Sequence, residues 1–378
     1  MTPLGLALVL ILVGAYLCGA TAAALRFARR QRGVLGVAPA GGPAVSVLKP
    51  LHGAEPGLYE NLRSFAAQDH REFQLVFGVR DRTDSALPVA RALIADLPDR
   101  DLELVVDPRV GGSNLKVANL ENMLPAARHE VIVMADSDMR VGRDYLRTVT
   151  APLADPRVGI VTCLYRGVPG AGLWSHLAAL HINFGFLPSA LLGEAIGIGG
   201  GCFGATIALR RAVLERIGGF APVRNELADD HRLGSAVREL GLASVLSPCI
   251  VENRVNEPSF ASLWRHELRW ARTSRAMAPV GFAGSVITHT VVLAGLAALA
   301  WGSGVAGEIA MLALMARWLS AIVIARALDL PRTGLWLLPV RDALSFAVFV
   351  ASFCGRSVLW RGQLFRVEPS GQMSVEGD

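Results

Sequence analysis

The chain has 378 residues, a formal net charge of +5, and 52% hydrophobic residues. This length accommodates one large soluble domain together with a few membrane segments. The five cysteines are scattered without a CxxC pair, which argues against a zinc site or a disulfide framework. No basic run is interleaved with aromatic residues, so we expect no nucleic-acid partner.

The first predicted element is an uncharged apolar segment at residues 3–24, which is long enough to cross a bilayer as a helix. A cleaved signal peptide is the alternative, because GATAAAL offers small residues for cleavage. No positive charge precedes the apolar run, whereas four arginines follow it: Arg26, Arg29, Arg30 and Arg32. This distribution favours a membrane anchor over residues 1–27 with its carboxyl side in the cytoplasm.

Residues 44–280 have the composition of a globular domain, and β-rich runs alternate in it with helical patterns. The β-rich runs are 44–49, 73–79, 102–106 and 131–136, and the helical patterns are 56–68, 84–97 and 114–127. This alternation predicts an α/β domain with a parallel sheet and helices on both faces. Ligands bind beyond the carboxyl ends of such strands. We therefore expect four side chains at one edge: Lys49, Asp81, Asp136 and Asp138.

Two aspartates, Asp136 and Asp138, end the strand-like run VIVMADSDMR. In an extended segment residues i and i+2 point the same way, so the two carboxylates can converge. Such a pair suits a divalent cation that also binds phosphate oxygens. A turn with solvated acids is the alternative.

Lysine occurs only at Lys49 and Lys116 in this arginine-biased chain. Both are candidate substrate-binding residues at positions that require a compact ammonium group, and chance retention is the alternative. Lys116 lies in RVGGSNLKVANLENML, which predicts a glycine turn and a helix capped by Ser113.

Two further helices carry candidate residues. NELADDHRLGSAVREL begins with Asp229 and Asp230, although acids in a first turn are often only favourable partners of the helix dipole. SFASLWRHELRWARTSRAM is amphipathic, and its basic face fits either anionic lipid headgroups or a diphosphate. The basic face carries Arg265, Arg269 and Arg272, and the other face carries Phe260, Leu263, Trp264 and Ala271.

Residues 281–360 form a predicted membrane region with two or three hydrophobic segments, followed by a tail at 361–378. The apolar stretches are 281–302, 305–327 and 335–355, and the charges within them include Glu308, Arg317, Arg341 and Asp342. Charges at that depth must be paired, cavity-facing or interfacial. Three crossings conflict with the positive-inside tendency, so one stretch is a candidate re-entrant or surface helix. An earlier apolar stretch at 172–201 is either a core helix and turn or an entrance for a membrane acceptor.

Six motifs in this order resemble the ceramide glucosyltransferase family, including its bacterial members and the related hopanoid glycosyltransferases. The motifs are VSVLKPLHGAEPGLYENLRSF, GVRDRTD, GSNLKVANL, ADSDMR, LADDHRLG and HELRWART. The resemblance covers residues 44–280. It implies a GT-A-type, Rossmann-like nucleotide-sugar domain with flanking transmembrane helices.

The resemblance also implies roles for the matched residues on the donor side. Asp81 would hold the base or ribose of a UDP-sugar. Asp138, helped by Asp136, would coordinate Mg²⁺ or Mn²⁺ on the donor diphosphate.

On the acceptor side, the resemblance makes Asp230 the general base that takes the proton of the acceptor hydroxyl. Arg269 and Trp270 would complete the pocket for the diphosphate and the acceptor. His266 occupies the first position of the family's (Q/R)xxRW box, so this chain departs from the pattern there.

The expected function is transfer of a hexose or N-acetylhexosamine from a UDP-sugar to the hydroxyl of a membrane lipid, either a ceramide or a hopanoid polyol. The resemblance implies an inverting reaction. The apolar segments and the arginine cluster at 26–32 predict a multi-pass protein of the inner cell membrane, with the catalytic domain in the cytoplasm. The alternatives are a transport component and a catalytically silent nucleotide-sugar-binding protein. The large α/β segment argues against the first alternative, and the intact acidic and basic motif residues argue against the second.

Overall fold

The structure, a computed structural model of the protein, describes residues 3–34, 42–198, 201–302, 305–355, 357–360, 363–367 and 373–375. Its centre is a sheet of eight strands in the order β3-β2-β1-β4-β7-β6-β8-β5. The strands are β1 (Val45–Pro50), β2 (Phe73–Val79), β3 (Leu102–Val106), β4 (Val131–Met134), β5 (Met139–Arg140), β6 (Val158–Pro169), β7 (Ile207–Arg210) and β8 (Ala243–Val255).

Helices cover this sheet and also precede and follow it in the chain. Within the described ranges they are α1 (Pro3–Val34), α2 (Leu58–Ala66), α3 (Ala86–Asp96), α4 (Leu115–Met123), α5 (Tyr145–Thr150), α6 (Leu173–His181), α7 (Leu187–Ala195), α8 (Arg211–Arg216), α9 (Asp229–Glu239), α10 (Phe260–Met277), α11 (Pro279–Gly284), α12 (Thr290–Trp301), α13 (Ala306–Ala327) and α14 (Leu338–Ser352).

The sheet is mixed. β1 pairs in parallel with β2 and β4, and β2 pairs in parallel with β3. β7 then runs antiparallel to both β4 and β6, while β8 is parallel to β6. The predicted α/β fold is confirmed, but the sheet is not parallel throughout. Parallel pairing joins β1, β2, β3 and β4 and also joins β6 to β8, whereas β7 and β5 are antiparallel to their neighbours. The second half contains β-strands that the alternation of runs did not predict.

β1, β2 and β4 match their predicted runs because they are largely apolar and buried on both faces. β3 also matches its run, although its residues are only partly buried. All residues of β1 and β4 are buried. α2 buries Leu58, Leu62 and Phe65, which lie at helical i, i+4 and i+7 spacing against the sheet.

One predicted cap is wrong. α4 begins after Asn114, not Ser113, because the Asn114 side chain accepts hydrogen bonds from the backbone N–H groups of Lys116 and Val117. The Ser113 hydroxyl instead bonds Asn225 at 3.2 Å. Both residue types cap helices well, so the pattern alone left the position ambiguous by one residue.

Three described helices are long and apolar enough to cross a membrane: Leu4–Gly33, Gly307–Ala327 and Leu335–Ser352. The predicted 281–302 stretch is instead a pair of helical segments, Pro279–Thr288 and Thr290–Trp301, bent by 71°. A bend of this size describes a broken span or a re-entrant loop, which agrees with the expectation that one stretch differs from a simple crossing.

The predicted pairing of charges in the membrane region is confirmed for three of the four residues. Arg317 contacts Asp342 at 3.0 Å, and Arg341 makes a bidentate contact with Glu267 of α10 at 2.7 and 2.8 Å. Glu308 lies exposed in the first turn of α13, an end position that suits an interfacial charge.

The 172–201 stretch forms α6, a π-helical turn at Ile182–Phe186, and α7. α7 packs against α1, where the hydroxyls of Tyr16 and Ser189 lie 2.8 Å apart. Residues 199–200 lie outside the described part of the chain. The core-helix interpretation holds for α6, which is largely buried. α7 is only partly buried, and the acceptor entrance stays a prediction.

The described parts of the predicted tail belong to a small antiparallel sheet. Its strands are β9 (Ser357–Trp360), β10 (Gln363–Val367) and β11 (Met373–Val375). Arg272 of α10 donates hydrogen bonds to the backbone carbonyls of Cys354 and Ser357. This arginine therefore binds the chain after α14, rather than remaining available on the basic face that the sequence predicted.

Candidate active site

Lys49 ends β1 and is fully buried, with its ammonium group 3.8 Å from the ring centroid of Phe65. It donates a hydrogen bond to the backbone carbonyl of Asp136. Burial lowers the pKa of Lys49 to about 7, although the nearby Asp136 and Asp138 carboxylates oppose this shift. Through this hydrogen bond, Lys49 holds the backbone of the segment that carries the two aspartates.

Lys116, in the first turn of α4, joins two acidic segments. Its ammonium group lies 2.7 Å from the Asp136 carboxylate and 3.5 Å from that of Asp229. Burial by itself would lower the pKa of Lys116, but these carboxylates outweigh burial and raise it. Lys116 is therefore a permanent cation at the carboxyl edge of the sheet.

Asp136 and Asp138 are neighbours, but the prediction that they share an extended strand is wrong. β4 ends at Met134, and the two aspartates lie in the turn that follows it, not in extended chain. Asp138 accepts a hydrogen bond of 2.7 Å from Asn253 of β8. Burial and the Asp136 charge raise the pKa of Asp138, so the pair concentrates negative charge in a small volume.

Asp230 starts α9 beside Asp229, as predicted, and accepts backbone N–H bonds of 2.8 Å from Gly204 and His231. Burial and the Asp229 charge raise the pKa of Asp230 to about 6, while Lys116 opposes the shift. Asp229 is turned toward Lys116 and Asn114. The two neighbouring acids therefore have different partners.

Gly204 shows how closely the cluster is assembled. A Cβ atom built on it would lie 3.3 Å from Asp230 Oδ2, 3.4 Å from Lys116 Nζ and 3.5 Å from Asp136 Oδ2. Three side chains that are distant in sequence thus meet at one point. Sequence reasoning missed this glycine because its contribution is an absent side chain.

The predicted residues of α10 form a second group. His266 Nδ1 lies 2.7 Å from the buried Glu257 carboxylate, and its ring centroid is 4.3 Å from that of Trp270. The charge of Arg269 acts on Tyr165 together with the charges of Asp138 and Asp230. Arg269 of α10, Asp138 and Asp230 therefore lie within electrostatic reach of the same tyrosine.

The predicted faces of α10 need correction. Its buried residues are Leu263 and Glu267, whereas Phe260 of the predicted apolar face is 45% exposed. Glu267 is buried although it is charged, because Arg341 of α14 pairs with it. Sequence reasoning assigned no role to Glu267, although a charge such as Arg341 within an apolar stretch calls for a partner.

Asp81 lies at the exposed end of β2, at the predicted edge. Its carboxylate accepts hydrogen bonds from the backbone N–H and hydroxyl of Thr83, at 2.8 and 2.7 Å. These bonds lower the pKa of Asp81 and stabilise the turn before α3. They do not link Asp81 to the Lys116 cluster.

The donor atoms at this edge fit a hard divalent cation that shares its coordination with phosphate oxygens. Asp136 and Asp138 supply carboxylate oxygens only, and no group of three or more His, Cys, Asp or Glu side chains in the described residues could hold a metal ion. An ion held here would therefore need oxygen ligands from a bound substrate or from water.

The mixed sheet with an acid-rich edge and apolar terminal helices is the GT-A fold of glycosyltransferases. A similar solved structure is the mannosyltransferase PcManGT from Pyrobaculum calidifontis, in complex with GDP-Man and Mn²⁺. It is 21% identical, with a TM-score of 0.52 covering 92% of this chain and 99% of that one. The sequence profile of glycosyl transferase family 21 matches residues 7–373, and the chain belongs to that family.

Two curated relatives from Caenorhabditis elegans confirm the resemblance to ceramide glucosyltransferases. Ceramide glucosyltransferase 1 is 26% identical over 240 residues, which are 63% of this chain and 51% of the relative. Ceramide glucosyltransferase 3 is 24% identical over 249 residues, with coverages of 63% and 52%. The chain spans about half the length of the curated relatives it matches.

Proposed function

We propose that the protein transfers a sugar from a nucleotide-diphosphate donor to the hydroxyl of a membrane lipid. The observation that carries this proposal is the convergence of Lys116, Asp136 and Asp230 around Gly204. This group lies at the carboxyl edge of the sheet, where α/β folds bind ligands. It combines the charges needed for a diphosphate with a carboxylate suited to accept a proton.

The donor site is proposed to lie on the side of Asp136 and Asp138. These residues would hold Mg²⁺ or Mn²⁺, which would neutralise the charge that develops on the leaving diphosphate. Lys116 and Arg269 would add positive charge on the same side. Asp81, at the end of β2, is the proposed contact for the base or ribose.

Asp230 is the proposed general base. A carboxyl group whose pKa is about 6 is ionised at neutral pH, yet it is a stronger base than an ordinary aspartate. Its position beside Lys116 and Asp136 puts it next to the donor side. Trp270, with His266 packed against it, would line the acceptor side.

The proposed donor is a UDP-hexose or UDP-N-acetylhexosamine, and the proposed acceptor is a ceramide or a hopanoid polyol. The relatives are named ceramide glucosyltransferases, which supports a lipid acceptor. Helices that could span a membrane flank the domain, so a lipid hydroxyl could reach Asp230 without leaving the bilayer. Inversion at the anomeric carbon is part of the proposal by family likeness.

The test is to incubate membranes containing the protein with a panel of UDP-sugars and to identify glycolipids by mass spectrometry. We expect one new glycolipid, and we expect its formation to stop in excess chelator and to return on adding Mg²⁺ or Mn²⁺. Loss of a soluble glycan with unchanged lipids after gene deletion would contradict the lipid acceptor. Turnover that persists fully in chelator would contradict the metal.

A further inference from the structure

Three aromatic side chains from separate segments form a contact chain beside the candidate active site. Tyr165 of β6 stacks on Phe186 with ring centroids 5.0 Å apart, and Phe186 meets Phe203 edge-on at 5.6 Å. Each of the three residues is half-buried. Their rings pack against the same buried apolar cluster as Trp270, the proposed acceptor residue.

The cluster lies next to the candidate base. Phe203 is bonded through its backbone N–H to Thr162 at 2.8 Å, and the next residue, Gly204, donates its N–H to Asp230. At the other end, Gly167, two residues after Tyr165 in β6, is paired with Asn253. Asn253 in turn bonds the Asp138 carboxylate. The aromatic cluster is therefore connected to Asp230 through the segment of Phe203 and to Asp138 through β6 and β8.

The Tyr165 hydroxyl has no hydrogen-bond partner among the residues that the structure describes. Burial raises the pKa of Tyr165, and the charges of Asp138 and Asp230 raise it further. The phenol therefore stays protonated at physiological pH. A protonated hydroxyl that bonds no described protein group and lies within electrostatic reach of Asp138 and Asp230 is available to bond water or a polar ligand.

Phe186 connects this cluster to the candidate membrane helices. It ends the π-helical turn between α6 and α7, and π-helical turns are frequent at functional sites. Within that turn the Phe184 carbonyl accepts a 3.0 Å hydrogen bond from Arg317 of α13. α7, directly after the turn, bonds α1 through Ser189 and Tyr16.

We propose that Tyr165, Phe186 and Phe203 form the binding site for the hydroxyl-bearing end of the acceptor lipid, an inference that rests on the proposed function. Phe186 and Phe203 contact the apolar carbons next to the reactive hydroxyl. The Tyr165 hydroxyl hydrogen-bonds the polar end of the lipid and aligns its reactive oxygen with Asp230. A hydroxyl lipid fits because one surface must receive both an apolar chain and a hydrogen-bonding group.

The experiment uses the full-length protein in lipid nanodiscs and compares Tyr165→Phe and Phe186→Leu with two matched controls. Tyr59→Phe removes a tyrosine hydroxyl on α2 that bonds Asp96. Phe282→Leu removes a ring that is stacked on Phe349 at 5.1 Å, away from this cluster. The readouts are the KM for the acceptor lipid, the KM for the donor, and donor hydrolysis without acceptor.

We expect Tyr165→Phe to raise the acceptor KM about fivefold, the effect of one lost hydrogen bond, and Phe186→Leu to raise it at least as much. Donor KM and acceptor-free hydrolysis should stay at the wild-type level, and both controls should match the wild type. An unchanged acceptor KM in both test variants would overturn the inference, as would an equal rise in donor KM. If the wild type forms no glycolipid, the proposed function itself fails, and this inference fails with it.

Discussion

Asp230 and Asp229 are adjacent in sequence but have different surroundings. Asp230 is bonded by backbone N–H groups, whereas Asp229 is held by Lys116 and Asn114. The first arrangement leaves carboxylate lone pairs for a substrate proton. The second uses the carboxylate to fix α4 against α9. At the scale of single residues, this difference supports Asp230 as the proposed base and gives Asp229 a structural role.

We predict that Asp230→Asn lowers kcat by at least about a thousandfold and leaves the dissociation constant of the donor within about twofold of the wild type. A base acts in the transition state, so its loss should not weaken ground-state binding. Single-turnover kinetics and donor titration by calorimetry measure the two quantities. A variant that keeps most of its kcat would show that the base is another group.

We predict that kcat/KM falls as the pH drops through about 6 and is level above that value. The raised pKa of Asp230 means that the carboxylate becomes protonated below about pH 6 and can no longer accept a proton. Asp229→Asn removes a charge that raises this pKa, so it should move the midpoint to lower pH. A wild-type profile that stays flat down to pH 5 would contradict the assignment.

The sequence predicted much of the site at this scale because its residues are chemically distinctive. The two lysines were conspicuous by their rarity, and the structure brings both of them to Asp136. Gly204 and Tyr165 could not be predicted in the same way. Gly204 contributes a close approach, and Tyr165 is one aromatic residue among many, so only the three-dimensional contacts distinguish them.

At the scale of elements, α10 and α14 are joined by a buried ion pair. Glu267 and Arg341 side chains are only 5% and 1% exposed and meet with two hydrogen bonds. Arg341 also reaches the Leu177 carbonyl of α6. The pair therefore fixes the segment that carries His266 and Trp270 against the membrane region.

We predict that Arg341→Met lowers the free energy of unfolding by about 3–5 kcal/mol, because it leaves the Glu267 carboxylate buried without its partner. The double variant Arg341→Met with Glu267→Gln should lose less than the sum of the two single changes. Chemical unfolding in detergent measures these differences. Strict additivity of the two changes would contradict a direct coupling.

The Arg317–Asp342 pair is the matched control, because it is also buried but joins α13 to α14 without touching α10. Breaking it with Asp342→Asn should reduce stability and leave the KM for the donor unchanged in the folded fraction. A change in the donor KM of the folded Asp342→Asn variant would contradict this prediction.

Elements in the first half of the domain were predictable, and those in the second half were less so. β2 and β3 match their predicted runs because short, largely apolar strands bounded by turns give a clear pattern. β6 and β8 are long and partly exposed, and their pairing contains register shifts. These irregularities remove the periodicity on which a sequence-based prediction depends.

At the scale of the whole molecule, α1 is a candidate membrane span that also packs against the α/β domain. Its carboxyl half packs into the protein through Ala24, Phe27 and Ala28, in one cluster with residues of β6 and β8. Its arginines remain exposed on the other side of the helix. The proposed cytoplasmic orientation of the domain therefore depends on a helix that is joined directly to the domain.

We predict that the 44–280 domain resists protease added outside sealed cells and is cleaved when the cells are opened. The arginine cluster that follows the apolar part of α1 should stay on the cytoplasmic side, where nucleotide sugars are made. Immunoblotting against the domain measures cleavage, and a periplasmic protein serves as the control for protease access. Cleavage of the domain in sealed cells would contradict the proposed orientation.

The central claim is that one donor sugar is transferred to one lipid hydroxyl at the edge where Lys116, Asp136 and Asp230 meet. The most direct measurement follows UDP release and glycolipid formation together, with purified protein in nanodiscs that contain the candidate lipid. We expect the two products in a ratio of about one to one in the wild type, and neither above background in Asp230→Asn. UDP release without glycolipid, or equal glycolipid formation by Asp230→Asn, would contradict the claim.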